Sequence, residues 1–270
     1  MELYNNYYLK GISSCKLAEM FGHTHKYYLN AFKKEELEIR TNKINSRKYN
    51  VNHDYFKEIN THEKAYWLGF IYADGYITNR QNSKKFGMAL SIKDFNQLEK
   101  LNKCIDSTYP IHSYLSSSGY KTNTEYCRVL ITSDSIFDDL QRHGVFENKT
   151  NLLEKPNIDC EFYNSFILGY FDGDGSIFLN HAKYPFYTIN ICGTDNILTF
   201  ISSYLKSKKI IKKEAKLSKR KEGQIVSYIR YGGNVLVSKI LDDLYKDLDV
   251  DIPLERKRAL YLKCKNRIFN

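Results

Sequence analysis

Neither a metal-binding cysteine pattern nor an apolar run of membrane length occurs in this chain. The six cysteines, Cys15, Cys104, Cys127, Cys160, Cys192 and Cys264, are scattered, with no C-x-x-C pair and no histidine spacing that would build a zinc site. They read as reduced thiols, the state expected of a cytoplasmic protein in a bacterium or phage-infected cell, or of one in an organellar matrix. The opening residues Met1-Glu2-Leu3-Tyr4-Asn5-Asn6 lack the basic and apolar regions of a secretory signal, so no export and no membrane partner is expected. No segment is poor enough in hydrophobic residues to read as a disordered tail. With 42% hydrophobic residues over 270 positions, the chain can hold two compact units, or one and a small accessory domain.

What is present in excess is positive charge. Lysine and arginine total 41 against 31 acids, a net +10, and a polyanion is the natural partner of such a balance.

Two short stretches organise the sequence. The first is Trp67-Leu68-Gly69-Phe70-Ile71-Tyr72-Ala73-Asp74-Gly75 and the second is Ile167-Leu168-Gly169-Tyr170-Phe171-Asp172-Gly173-Asp174-Gly175. Each is too short to span a bilayer but suits a buried helix, and each ends in Asp-Gly before an alternating, strand-like segment. Gly69 with Ala73, and Gly169 with Gly173, lie four apart, so each pair shares one helix face and lets two backbones approach closely. The expected arrangement is a helix pair in contact along those faces, with Asp74 and Asp174 together at one end. A carboxylate at a helix C-terminus is opposed by the dipole, and two such ends repel. A divalent cation between them would reverse that sign. One Asp-Gly is by itself only a helix stop or a turn, but two in matching context ask for more.

Both stretches resemble the LAGLIDADG motif of homing endonucleases. Gly69, Ala73, Asp74 and Gly75 match in the first copy, and the second matches apart from conservative changes. Trp67 and Ile167 depart at the leading leucine and Tyr72 at the earlier aspartate, a position that is not a metal ligand in the family. The resemblance covers roughly residues 61 to 270. It implies a site-specific double-strand DNA endonuclease that uses Mg²⁺ (or Mn²⁺), acts as a monomer because both halves lie in one chain, and serves a mobile intron, intein or free-standing element. It also implies Asp74 and Asp174 as metal ligands, with the carbonyls of Ala73 and Gly173 beside them, and a basic residue in each half that orients water, for which Lys149 and Lys257 match by their place at the close of each repeat. The competing expectation is a catalytically silent DNA-binding regulator, or a maturase of the same fold that steadies intron RNA. Asp172-Gly173-Asp174-Gly175 is no calcium loop, because the position that must be glycine is Ile177 and the preceding helix is apolar. Asp172 itself is expected as a supporting or surface carboxylate.

From residue 61 the chain says nearly the same thing twice. Met88-Ala89-Leu90-Ser91-Ile92 and Thr188-Ile189-Asn190-Ile191-Cys192 each lead into a helix. Tyr126 to Ile131 and Val226 to Arg230 follow as strands, then helices holding Asp138-Asp139-Leu140 and Asp242-Asp243-Leu244. The fold class expected is α+β: two pseudo-symmetric αββαββα halves, residues 61–156 and 157–270, forming a DNA-binding saddle of antiparallel strands. Residues 51–60 read as a polar linker. Ahead of them, residues 1–50 read as a small helical domain: Gly11-Ile12-Ser13, Leu17-Ala18 and Phe21-Gly22 resemble a helix-turn-helix, with His25 and Lys26 facing the groove. Duplex-facing cations expected from the strands and loops are Arg80, Lys84, Lys85, Lys121 and Arg128 in the first half. In the second they are Lys183, Lys212, Lys213, Lys216, Lys219, Arg220, Lys221 and Arg230.

Overall fold

The computed structural model describes residues 2–8, 12–37, 39, 48–81, 83–116, 124–148, 153–181, 183–219 and 226–269. The chain divides into two compact units, Met1–Asn50 and Val51–Asn270.

Among its described residues the small unit has three short helices: α1 (Glu2–Tyr8), α2 (Ser14–Phe21) and α3 (His25–Lys34). Side chains set their limits. Ser13 accepts from the Lys16 amide at the start of α2, and Thr24 accepts from the Tyr27 amide at the start of α3. Between them Gly22 takes φ +77°, which ends α2, and the Tyr28 hydroxyl donates to the Gly22 carbonyl at 2.7 Å. Tyr7, Leu17, Tyr28 and Phe32 form its buried core.

In the large unit a repeated order is built around two helices, α4 (His62–Asp74) and α7 (Tyr163–Asp174). Both are apolar on every side, and Trp67, Leu68, Ile167 and Leu168 have no exposed surface, the pattern of a helix inside a core. Their approach is closer than any side chain would allow. A Cβ on Gly69 would lie 1.9 Å from the Phe166 carbonyl oxygen, and one on Gly169 would lie 1.9 Å from the Tyr66 carbonyl oxygen. Tyr66 and Phe166 occupy the same place in the two motifs, so the contact is reciprocal, as a local twofold relation requires.

Each motif helix passes straight into a strand. The first half continues β1 (Gly75–Arg80), β2 (Ser83–Ser91), α5 (Phe95–Cys104), β3 (Ile111–Ser116), β4 (Thr124–Thr132) and α6 (Asp134–Arg142), with an antiparallel sheet ordered β1-β2-β4-β3. The second continues β5 (Gly175–Asn180), β6 (Phe186–Gly193), α8 (Asp195–Ser207), β7 (Ser227–Gly232) and α9 (Asn234–Tyr245), with an antiparallel sheet ordered β5-β6-β7. A further helix, α10 (Glu255–Phe269), follows. The α+β class and the doubled plan are as expected.

Three expectations need correction. The second sheet has three strands among the described residues, and the place of a fourth is marked by an isolated bridge between Ser218 and Tyr228. The preceding segment carries Lys208, Lys209, Lys212, Lys213 and Lys216 with little alternation of apolar residues, so like charges oppose a regular edge strand there. The basic stretch at 253–257 does not close the half but opens α10. Residues 51–60 are no linker: Val51, Tyr55, Phe56 and Ile59 are buried in the core of the large unit, and the Tyr55 hydroxyl donates to Glu63 at 2.6 Å. Four apolar side chains scattered among polar ones hold this segment down.

Adding one methyl group to the motif interface tests this packing. Gly69→Ala and Gly169→Ala each force a Cβ into a backbone carbonyl and should cost about 3 kcal/mol or more, seen as a lower urea midpoint at unchanged slope; a midpoint equal to the parent's would refute the close approach.

Candidate active site

Asp74 and Asp174 are the last residues of α4 and α7, and both are half-buried, with one side open to solvent. The crossing at the glycine faces carries the two ends to the same place. A Cβ on Gly173 would lie 2.2 Å from the Ala73 Cβ and 3.1 Å from Asp74 Oδ2, so the first carboxylate reaches across the end of the second helix. Tyr170 registers both. Burial comes first, then the charge and hydrogen bond of Asp174 and the charge of Asp74, in pushing its phenol well above the usual range. Its hydroxyl donates to the Cys192 carbonyl at 2.9 Å. The equivalent residue in α4 is Phe70, so the Tyr170 hydroxyl has no counterpart at that position of the first motif.

Beneath this surface lie two buried ionisable side chains. Asp172, 1% exposed, accepts from the Tyr66 hydroxyl and from the Leu254 amide, both at 2.8 Å. Burial raises its carboxyl to about 6, against the opposing pull of Lys257, the Leu254 amide and Tyr66. Lys257, 2% exposed, donates to the carbonyls of Phe171, Asp172 and Gly175, each at 2.6 Å. Burial lowers its ammonium to about 8, while Asp172, Asp74 and Asp174 favour the charged form. Each of the two thus favours the charged form of the other. The three ammonium protons are all spent on the end of α7, so Lys257 does not orient a water as expected. It sits in the first turn of α10, the wrong end of that helix for a cation, and is held there by the carbonyl-rich terminus of α7.

The segment carrying Leu254 and Lys257 is tied to the other half. Arg256 forms a two-point pair with Asp94 at 2.8 and 3.0 Å, Gln97 donates to the Ile252 carbonyl at 3.0 Å and to the Tyr66 hydroxyl at 2.9 Å, and Lys100 donates to the Pro253 carbonyl at 3.2 Å. Asp94, Gln97 and Lys100 all come from the start of α5 and the turn before it, so residues 252–257 stitch the first half to the floor of the second.

No protein-family sequence model matches the chain, and no curated protein matches it by sequence. Solved structures do. The I-LtrWI LAGLIDADG homing endonuclease bound to target DNA superposes with a TM-score of 0.53 at 12% identity, over 81% of this chain and 92% of the other. I-GzeII, a LAGLIDADG homing endonuclease in complex with its DNA target, gives 0.50 at 11% identity over 74% and 88%. The LAGLIDADG meganuclease I-AabMI bound to uncleaved DNA gives 0.50 at 12% over 75% and 91%. The chain has the LAGLIDADG homing-endonuclease fold.

In that fold the sequence-assigned residues fall into distinct groups. Asp74 and Asp174 meet, with Ala73 and Gly173 between them, and Gly69 and Gly169 form the helix contact. Arg80, Lys85 and Arg128 share the parity of the outer, helix-free face of the first sheet, and Arg230 that of the second. Lys183, Lys212, Lys213, Lys216 and Lys219 are exposed in loops, as are His25 and Lys26 at the start of α3. Lys84 is a correction: it shares parity with Phe86 and pairs with Asp138 on α6, on the helix-covered face. Asp172 is fully buried and takes the supporting place, not the surface one, of the two expected for it. Lys121, Lys149, Arg220, Lys221 and Gly11 lie outside the described residues. Tyr170, Tyr66 and the Arg256–Asp94 pair went unassigned in the sequence; a tyrosine inside an apolar motif was the one available signal.

The donors at the motif ends suit a hard divalent cation. They are oxygens alone, two carboxylates with the carbonyls of Ala73 and Gly173 nearby, and that of Gly173 is not among those Lys257 takes. No group of three or more His, Cys, Asp or Glu side chains that could cage an ion occurs among the described residues. Such a half-set fits an ion that keeps waters and shares substrate oxygens, as Mg²⁺ does.

Removing the ammonium at position 257 isolates this support. Lys257→Met takes away the charge that favours ionised Asp172 and leaves the carbonyls of Phe171, Asp172 and Gly175 without their donor, which should cost about 3 kcal/mol or more. Asp172→Asn added to Lys257→Met should return part of that loss in chemical denaturation; equal stability of Lys257→Met and the parent would show that the pair is not what holds the floor.

Proposed function

We propose that this protein is a divalent-metal-dependent, site-specific endonuclease that hydrolyses both strands of a long, asymmetric duplex DNA target. The observation that carries the reading is the meeting of Asp74 and Asp174 at the ends of two twofold-related helices, each running directly into a sheet whose outer face carries arginine or lysine. Retention of both acids supports an enzyme over a silent DNA-binding regulator or an intron RNA maturase, since a binder has no use for two carboxylates at two helix C-termini.

Mg²⁺ or Mn²⁺ held by Asp74 and Asp174 would lower the pKa of a water and neutralise charge on the leaving oxygen. The chain's own residues do the rest. Close packing at Gly69 and Gly169 fixes the spacing of the carboxylates. Tyr170 lies against Asp174 and restrains it. Lys257 neutralises the end of α7 and so reduces the repulsion that two carboxylates and two helix dipoles would otherwise impose there. Arg80, Lys85, Arg128 and Arg230 offer charge and hydrogen-bond donors to phosphates and base edges. A monomer suffices, because both halves lie in one chain. Residues 1–50 extend the contact as a helix-turn-helix-like module, α3 presenting His25 and Lys26. Such an activity serves the mobility of an intron, intein or free-standing element.

Duplexes recovered by binding from a randomised library are the substrate for the test. With Mg²⁺ the parent should cut an enriched duplex at one defined place, while Asp74→Asn and Asp174→Asn should bind it and leave it uncut. Cleavage by both single variants at the parent rate would defeat the assignment.

A further inference from the structure

Each sheet carries one exposed arginine held against a tyrosine ring on its outer face. The Arg128 guanidinium carbon lies 5.5 Å from the Tyr114 ring centroid, and that of Arg230 lies 5.5 Å from the Tyr228 ring centroid. Stacking of this kind restrains a flexible side chain and fixes the plane of its fork.

The strand pairing shows that these two arginines are not equivalent. Gly75 pairs with Met88 and Met88 with Val129; Gly175 pairs with Ile191 and Ile191 with Ile229. Val129 and Ile229 are thus the same position in the two halves. Arg128 stands one residue before that position and Arg230 one residue after it, so the counterpart of Arg128 is Tyr228 and the counterpart of Arg230 is Leu130. Strands β4 and β7 run antiparallel to β2 and β6, hence alongside β1 and β5, which lead away from the aspartates. Arg128 lies level with the motif end and Arg230 two residues further out. At about 3.4 Å per residue the offset is about 7 Å, or about two base-pair steps of duplex.

Resting on the endonuclease reading above, we infer that Arg128 and Arg230 each read a guanine, and that the two guanines lie at distances from the centre of the target that differ by about two base pairs. The chemistry that fits is the bidentate contact of a guanidinium with guanine O6 and N7 in the major groove, the commonest specific contact of arginine with DNA. A held fork favours that contact over a loose phosphate contact, for which orientation matters less. The residue paired with Arg230 is polar but buried. Asn190, its cross-strand partner, is 7% exposed, and its Oδ1 has no hydrogen-bond partner. In the first half the corresponding position is Gly87, where the ring of Tyr76 takes the space that a side chain would need.

The experiment is binding selection on the full-length protein from a randomised duplex library, followed by Mg²⁺-dependent cleavage of the enriched pool and alignment on the cut. The parent should show two strong guanine preferences at unequal distances from the centre. Arg128→Lys should lose one and Arg230→Lys the other, each by about tenfold or more, because lysine keeps the charge but not the fork. Tyr228→Arg combined with Arg230→Leu should move the second guanine inward by about two positions. Lysine variants that retain both preferences, with alanine variants weakening all sequences alike, would make these phosphate contacts and overturn the inference; so would guanines at equal distances. Enrichment of no duplex at all would remove the endonuclease reading and this inference with it, an outcome distinct from a cut target of the wrong pattern.

Discussion

Two backbone contacts, Gly69 on Phe166 and Gly169 on Tyr66, set everything else in the large unit. Side chains of any size at these positions would hold the helices apart by the thickness of a methyl group or more, and the carboxylates at their ends would part with them. Because both helices are apolar all round, neither can slide to another face without exposing buried aromatic surface. The crossing point and the separation of Asp74 and Asp174 are therefore one constraint, and the strands that start at Gly75 and Gly175 inherit their position from it.

Bringing those ends together has an electrostatic cost that the fold meets from below. Two helix C-termini and the acids Asp74, Asp172 and Asp174 concentrate negative charge in one small volume. The response is an ammonium, that of Lys257, placed under α7 where it bonds three carbonyls and faces Asp172. A buried charge held in this way adds little net stability compared with apolar packing, and its value lies in what its absence would leave uncompensated. Arg256, next in sequence, points the other way to Asp94 in the first half. One dipeptide thus joins the support of the site to the joint between the halves, so a disturbance of that joint reaches the floor beneath Asp174.

How far the sequence alone could go is clear from particular residues. The motif helices, their glycine faces, the meeting of Asp74 and Asp174 and the strands that follow were all readable, since period, small-residue spacing and duplication are local signals. Lys84 was misplaced although the signal was there: it shares parity with Phe86, Met88 and Leu90, and period 2 alone puts it on the covered face. Lys257 was not readable in its role. Among Arg256, Lys257 and Arg258 nothing local marks the middle residue as the buried one, and only the arrival of α7 decides it. Val51, Tyr55, Phe56 and Ile59 failed for a similar reason, because four apolar residues in an irregular segment have no period to find.

Duplication within one chain frees the halves to diverge wherever the shared constraint does not reach. The glycine contact and the two aspartates tolerate no difference, and the halves agree there. One turn earlier they already part, with Phe70 against Tyr170 and Tyr72 against Asp172, so each carboxylate has its own electrical surroundings. Further out the sheets differ, among the described residues, in strand number and in which outer positions carry arginine. Symmetry is thus strictest at the helix crossing and weakens with distance from it. That gradient suits the proposed activity, in which the chemistry would act on two antiparallel strands alike while recognition would tell one flank of the target from the other.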